Sequence, residues 1–343
     1  MSADPGTAPL WPWAIPLRAR IKVLPEDFVV DEIAATEPDG AGEHVWLHIR
    51  KIGLNSEAVA EWLARVAGVP RVNVGYAGRK DRHAVTTQWF SVQLPGREEP
   101  DWSQQVLDGV EVVASRRHSR KLKTGHLGGN RFRVRLREVA GDHAAADALL
   151  EGMRLRGLPD YFGEQRFGHG NLERAQAWFA GRLRPRGRNQ RSLYLSAARA
   201  AIFNAVLRRR VQDGSWDRLL PGDLANLDGS GSVFPVAAVD EELRARCERM
   251  DLHPTGPLWG RGGPGSAGAV LDLENAVAHD WPELAQGLER EGLAPARRPL
   301  RLRPRRLDWH WESGDSLVLE MELGPGEYAT GVAGAIAALT DGG

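Results

Sequence analysis

Between residues 44 and 50, polar and apolar positions alternate. Val45, Leu47 and Ile49 are set against His44, Trp46 and His48, the period-two mark of a half-buried strand. Residues 20–34 predict two shorter strands broken at Pro25. The period changes over 56–67, where Val59, Leu63 and Val66 share a helical face, Ser56 stands as the cap and Gly68 as the stop. Strands are expected again at 72–76, 87–94 and 110–114. Over 130–139, Phe132, Val134 and Leu136 alternate with Arg131, Arg133, Arg135 and Arg137, giving a strand with one apolar and one arginine face. That face reads equally as a solvated surface or as one that meets phosphates. A capped helix over 142–156 closes this region, with Ala146, Leu149, Leu150 and Met153 on one side.

After Gly157-Leu158-Pro159 the texture becomes helical. Helices are predicted over 171–181, 192–213, 240–250 and 281–292, with a turn-rich strand region at 222–234 and a flexible glycine-rich loop at 260–268. Tyr161 to Gly168 reads as a packed turn between domains. From Leu300 the alternation returns: Leu307, Trp309 and Trp311, then Leu317, Leu319, Met321 and Leu323, followed by an alanine-rich helix from Val332 to Leu339. Strands at both ends and helices between them imply an insertion. Residues 1–156 and 301–343 would form one domain and 157–300 a second, inserted one. Residues 1–16 predict a poorly ordered start, partly pinned by Trp11 and Trp13.

The 343 residues suffice for two domains, and 42% of them are hydrophobic. Net charge is zero, so a polyanion partner would have to meet a local concentration of cations. Only five of the 45 basic residues are lysines (22, 51, 80, 121 and 123). A GC-rich genome explains most such arginine excess, although the guanidinium fork also suits phosphate. The densest basic run is 115–124, with Arg116, Arg117, Arg120 and Lys121. The single cysteine, Cys247, excludes an intrachain disulfide and a multi-thiolate zinc site. No apolar run reaches the ~18 residues of a membrane span. Met1 to Thr7 has neither the charged nor the apolar part of a signal peptide, so a cytoplasmic protein is expected.

The segment carrying the most chemistry is Gly75 to Phe90, which sets Asp81 between Lys80 and Arg82 after a glycine-bearing turn. A carboxylate among cations favours its charged form and can act as nucleophile or general base. An Asp in such a turn more often hydrogen-bonds its own backbone. Adjacent side chains also diverge in extended chain, so the true partner can come from elsewhere, and Lys22 is a candidate. Gly75–Gly78 lacks the Gly-Lys-Ser/Thr ending of a phosphate loop, and Gly260–Gly268 lacks both that ending and a following helix start. His44 and His48 share a strand face without a third ligand nearby, so no metal site is assigned.

Several segments, taken jointly and in order, resemble the TruD family of tRNA pseudouridine synthases. They are Gly75–Phe90, Glu26-Asp27-Phe28-Val29-Val30, Gly129-Asn130-Arg131-Phe132, Pro159–Gly168, Leu195–Arg199 with Phe203-Asn204, Gly222-Asp223, and Thr255–Gly260. The resemblance implies an α+β catalytic domain of the pseudouridine-synthase fold, with a mixed and mainly antiparallel sheet, and an inserted α/β TRUD domain. It implies isomerisation of uridine in tRNA, at position 13, without metal or other cofactor. By residue matching, Asp81 is the catalytic aspartate and Lys22 its basic partner. Phe28, Asn130, Phe132 and Tyr328 line the uridine pocket, with Phe132 stacking on the base. Arg79, Lys80, Arg82, Arg116, Arg117, Arg120 and Lys121 are expected on the RNA backbone. After Tyr328-Ala329-Thr330 the chain departs from the family's Ser-Val and its following charged residues, reading Gly331-Val332-Ala333-Gly334. A monomer with no obligate protein partner is expected. An RNA-binding module without catalysis, such as a tRNA chaperone, would share the basic surface but not need Asp81; an RNA glycosidase would release free uracil.

Overall fold

The structure is a computed structural model and describes residues 11–102, 107–312 and 315–342. The expectation for residues 1–10 lies outside them. The chain divides into two compact units, one of residues 16–150 and 304–343, the other of residues 1–15 and 151–303.

The first unit begins with β1 (Leu17–Ile21), a single 3-10 turn at Pro25–Asp27 and β2 (Phe28–Ala34), so Pro25 does break the pair of strands. There follow β3 (His44–Ile52), α1 (Ser56–Ala67), β4 (Val74–Tyr76), β5 (Val85–Gln93), β6 (Val110–His118), β7 (Leu127–Gly141) and α2 (His143–Arg156), whose residues from Glu151 on count with the second unit. The second unit contains β8 (Leu158–Pro159), α3 (Glu164–Phe167), α4 (Asn171–Phe179), α5 (Arg188–Gln212), β9 (Leu224–Leu227), β10 (Val233–Pro235), α6 (Glu241–Glu248), β11 (Leu252–Leu258), α7 (Gly268–Asp280), α8 (Pro282–Arg290), β12 (Ala296–Pro299) and β13 (Arg301–Leu302). The chain then returns to the first unit as β14 (Arg305–Glu312), β15 (Ser316–Leu323), α9 (Ala329–Gly334) and β16 (Ala337–Asp341).

The first unit is built on a ten-stranded sheet whose main path runs β14-β15-β7-β2-β5-β3-β6, with β1 between β7 and β16, and β4 beside β5. Among the described residues only β2–β5 and β1–β16 pair in parallel, so the sheet is mixed and mainly antiparallel. Helix α1 covers one face, packing Val59, Trp62 and Leu63 on Leu47, Ile49, Phe90 and Val92. Gly68 stops it in the left-handed conformation, at φ 60°. Strand β3 is buried on both faces near its start, not half-buried as its alternation predicts, because Ala77 and Leu122 cover Trp46 from the other side.

In the second unit α5 is the central helix. Its Ala198, Ala201 and Ile202 pack with α4 and α8 through Leu172, Leu284 and Leu288. Phe162 joins Phe203 and Leu300 in a neighbouring cluster, and Asn204 bonds both the N–H and the carbonyl of Phe162. Trp11 stacks on Trp13 at 5.9 Å and meets Tyr161 edge-on at 5.8 Å.

Further departures from the sequence reading lie in the second unit and at the C-terminus. A helix does begin at Gly268, because Val270, Val277 and Ala278 supply a buried face behind the glycine loop. Strand β11 shows no strand pattern in the sequence because two prolines interrupt Leu252–Leu258. The alanine-rich C-terminal helix ends at Gly334, and Ala337–Asp341 is strand, since β1 offers it a parallel edge from Leu17 to Ile21.

Candidate active site

Asp81 lies in the connection between β4 and β5. That connection leaves β4 at a position where only glycine fits, since a Cβ on Gly75 would collide with the Leu122 carbonyl. A chain of hydrogen bonds fixes the loop from beneath. Lys80 N donates to Ser56 Oγ at 3.0 Å, Ser56 Oγ to Gln88 Oε1 at 2.6 Å, and Gln88 Nε2 to Gly78 O at 3.1 Å. Ser56 is therefore not the helix cap its position predicts. Asn55 caps α1 instead, accepting from Ala58 N at 2.8 Å. Lys51, a fully buried cation, donates to Asp81 O at 2.9 Å and to Leu54 O at 2.6 Å. Burial lowers the Lys51 pKa to about 8, against the opposing pull of the Asp81 charge and with a further push from Lys80.

The cations flanking Asp81 in sequence turn away from it. Arg82 Nε donates to Gly53 O at 3.1 Å, and Lys80 Nζ lies 2.9 Å from Glu32. The partner comes from 59 residues upstream: Lys22 Nζ lies 2.8 Å from Asp81 Oδ2. Lys22 has φ 58°, the left-handed region, which costs a non-glycine residue about 1 kcal/mol. That conformation follows the end of β1 and brings the ammonium 4.6 Å from the centre of the Phe28 ring. Asp81 remains 46% exposed, and its Oδ1 makes no hydrogen bond among the described residues.

Strand register supplies the rest of the site. Phe28 faces Val134, Val30 faces Phe132 and Glu32 faces Asn130 across β2 and β7, so Phe28, Phe132 and Asn130 share one side of the sheet. The two phenylalanine rings meet edge-on at 6.0 Å, and both are more than 90% buried. Lys80 Nζ donates to Asn130 Oδ1 at 2.6 Å. An ammonium only donates, so the amide must turn its oxygen to Lys80, leaving its NH2 pair as the free end. One circuit thus links Asp81, Lys22, Phe28, Phe132, Asn130 and Lys80, and the Lys80–Asp81 peptide closes it. The turn before Phe28 is pinned by Asp27, which takes two bonds from Arg137 at 2.8 Å each and one from Leu24 N at 2.9 Å.

Other expected contacts are more scattered. Tyr328 is exposed at the start of α9, and no hydrogen bond or ring contact ties it to the circuit among the described residues. Arg79 is exposed beside Tyr76 and Glu57. Within the basic run, Arg116 and Arg120 are exposed, whereas Arg117 bonds Arg97 O at 2.8 Å and Lys121 bonds Val72 O. The arginine face of β7 is no open cationic surface. Arg131 pairs with Glu322, Arg133 with Glu312 and Glu320, Arg135 with Glu312, and Arg137 with Asp27. Glu320 and Glu322 stand directly opposite Arg133 and Arg131 across β15, so the pairing register neutralises the face. His48 stacks on Trp89 at 4.6 Å and His44 is buried. Among the described residues no cluster of three or more His, Cys, Asp or Glu side chains could hold a metal.

Sequence reasoning missed Lys51, Glu32, Ser56 and Gln88. Lys51 carried a faint signal, as the one lysine closing an apolar alternation, two residues before a glycine.

The TruD profile, tRNA pseudouridine synthase D, matches residues 15–182 and 169–335. Among curated proteins, the tRNA pseudouridine synthase D of Methylococcus capsulatus is 48% identical, covering 92% of this chain and 90% of its own. That of Nitrosococcus oceani is 46% identical, covering 92% and 89%. A crystal structure of a proposed tRNA pseudouridine synthase D from Methanosarcina mazei superposes with a TM-score of 0.72 at 19% identity, covering 100% of this chain and 99% of that one. At that identity the superposition speaks for the fold, and the family rests on the profile and the closer relatives. Both extend over nearly the whole length, and on them this chain belongs to the tRNA pseudouridine synthase D (TruD) family.

Proposed function

We propose that Asp81 is the carboxylate with which this chain converts uridine to pseudouridine in tRNA. The observation that carries this reading is the circuit around Asp81: a half-exposed carboxylate held on one oxygen by Lys22 and open on the other, beside an aromatic pair and an amide with free donors. The reaction breaks the N1–C1′ bond, turns the uracil and joins C5 to C1′. N1 takes up a proton and C5 loses one, so the product is an isomer.

Each residue has a part. The open Oδ1 of Asp81 either attacks C1′ or removes a ribose proton to give a glycal. Lys22 is the positioning cation, and Lys51 and Ser56 keep the loop from retreating. The target base must leave its stack, at a cost of a few kcal/mol. Contact with Phe132 and Phe28 offsets this by roughly 1–3 kcal/mol. The NH2 group of Asn130, oriented by Lys80, suits the carbonyl oxygens of uracil. Arg79, Arg82, Arg116 and Arg120 are exposed and fit the RNA backbone; Tyr328 closes the pocket once RNA is bound.

The division into a catalytic domain (1–156 and 301–343) and an inserted TRUD domain (157–300) belongs to the same reading. So does modification at position 13. A tRNA substrate favours the cytoplasm, and a monomer is the simplest assembly. The test is incubation without added cofactor with tRNA transcript carrying tritium at uridine C5. Tritium release and pseudouridine at position 13 are the expected results. Free uracil would instead mean a glycosidase, and binding without release an RNA-binding module.

A further inference from the structure

The first unit's most conspicuous arginines are neutralised, which raises the question of where unpaired cations do gather. Between Glu173 and Asp213 the chain has ten arginines and no Asp or Glu, in a protein whose net charge is zero. The excess concentrates where α4 gives way to α5. Arg182, Arg184, Arg186 and Arg188 are all exposed, and none of their side chains makes a hydrogen bond or ion pair among the described residues. Elsewhere in the same unit exposed arginines do find acids, as in Arg209 with Asp213 and Arg191 with Glu291.

The segment is held in place through its backbone. Arg182 N and Leu183 N both donate to Ala177 O, at 2.8 and 3.2 Å, and Arg186 N donates to Gln190 Oε1 at 2.7 Å. Leu183 packs inward on the cluster formed by α4, α5 and α8, while its neighbours Arg182 and Arg184 stay in solvent. The guanidinium groups therefore project from a fixed frame. Their placement also costs stability. Arg188 opens α5, whose first turn carries no acid, so positive charge sits at the positive end of a 25-residue helix. Such a charge is destabilising against the helix dipole. A bound anion would reverse the sign of that term.

We infer that residues 182–188 form a phosphate-gripping surface for tRNA, a second RNA contact carried by the unit that does not contain Asp81. The choice of tRNA as the polyanion rests on the function proposed above; the unpaired cations do not. Arginine on a fixed backbone meets phosphate through its fork, and each neutralised phosphate releases counterions.

The test is tRNA binding by the full chain as a function of salt, for wild type, for the quadruple variant with Arg182, Arg184, Arg186 and Arg188 all changed to Gln, and for Arg188→Gln alone. The quadruple variant should flatten the slope of log K against log salt by about 3, and the single variant by about 1. With tritium release as readout, kcat/KM should fall at least tenfold while kcat at saturating tRNA holds. Arg188→Gln should melt at or above the wild-type temperature, so a loss of binding is not a loss of fold. Unchanged slopes and affinity in both variants would overturn the grip while leaving the activity standing. A flattened slope in a protein that releases no tritium from any tRNA would keep the grip and sink the functional reading.

Discussion

Two aspartates of the first unit, Asp27 and Asp81, each meet a cation at 2.8 Å, yet their surroundings differ in every other respect. Asp27 is fully buried, Arg137 and Leu24 N hydrogen-bond its oxygens, and the Arg135 guanidinium adds its charge from 3.9 Å. Burial alone would raise its pKa, but these hydrogen bonds and charges outweigh it and hold the carboxyl below the ordinary range. Asp81 has one lysine, a half-exposed side chain and an oxygen left open among the described residues. A saturated carboxylate can only hold structure together. An unsaturated one, fixed through its backbone by Lys51 and its loop by Ser56, is free to react. The difference separates stability from chemistry within one sheet.

Substitutions should break that contrast in opposite currencies. The largest effect expected is on turnover in Asp81→Asn, down by about 10⁴-fold or more, with the melting temperature unmoved. Next comes Lys22→Met, with kcat down by about 10²-fold, read in single-turnover assays; Lys22→Gly should be equally slow yet more stable than Lys22→Met, since it also relieves the φ of 58°. Asp27→Asn should leave kcat per folded molecule near wild type but cost about 2 kcal/mol in urea unfolding, below the roughly 3–5 kcal/mol of a fully buried pair because Arg137 is partly exposed. That contribution is present above the ordinary carboxylate range and lost as pH falls through the lowered Asp27 value, so the variant should also lose this part of the acid dependence.

The remaining effect is a pH dependence and concerns Lys51. The folded protein releases its proton near pH 8, the unfolded chain nearer 10.5. Between those values the unfolded state binds more protons, so stability should rise with pH. Lys51→Met should remove that rise and slow turnover by loosening the Asp81 loop. A rise that persists in Lys51→Met would mean that another group titrates there.

Much of this was legible in the sequence because it is local. The alternation of β7, the Gly68 stop and the Pro25 break are set by near neighbours, and the structure repeats them. The Ser56 cap failed because a distant demand, the Asp81 loop, competed for its hydroxyl and Asn55 could replace it. The arginine face of β7 was legible as a pattern, and so were Glu320 and Glu322. Their mutual neutralisation needed the register between strands nearly 190 residues apart, with Arg131 bonded to Glu322 at |i−j| of 191. The same limit hid Lys51 and Glu32, whose partners on the loop lie 30 and more residues away. The C-terminal strand was hidden by alanines that suit a helix until an edge such as β1 is offered.

The most direct test is single-turnover tritium release from C5-labelled tRNA by Asp81→Asn, with tRNA binding measured on the same preparation. Wild-type affinity and no release are the expected results. Release at a rate near wild type, from a folded variant free of the parent enzyme, would contradict it and move the chemistry to another residue.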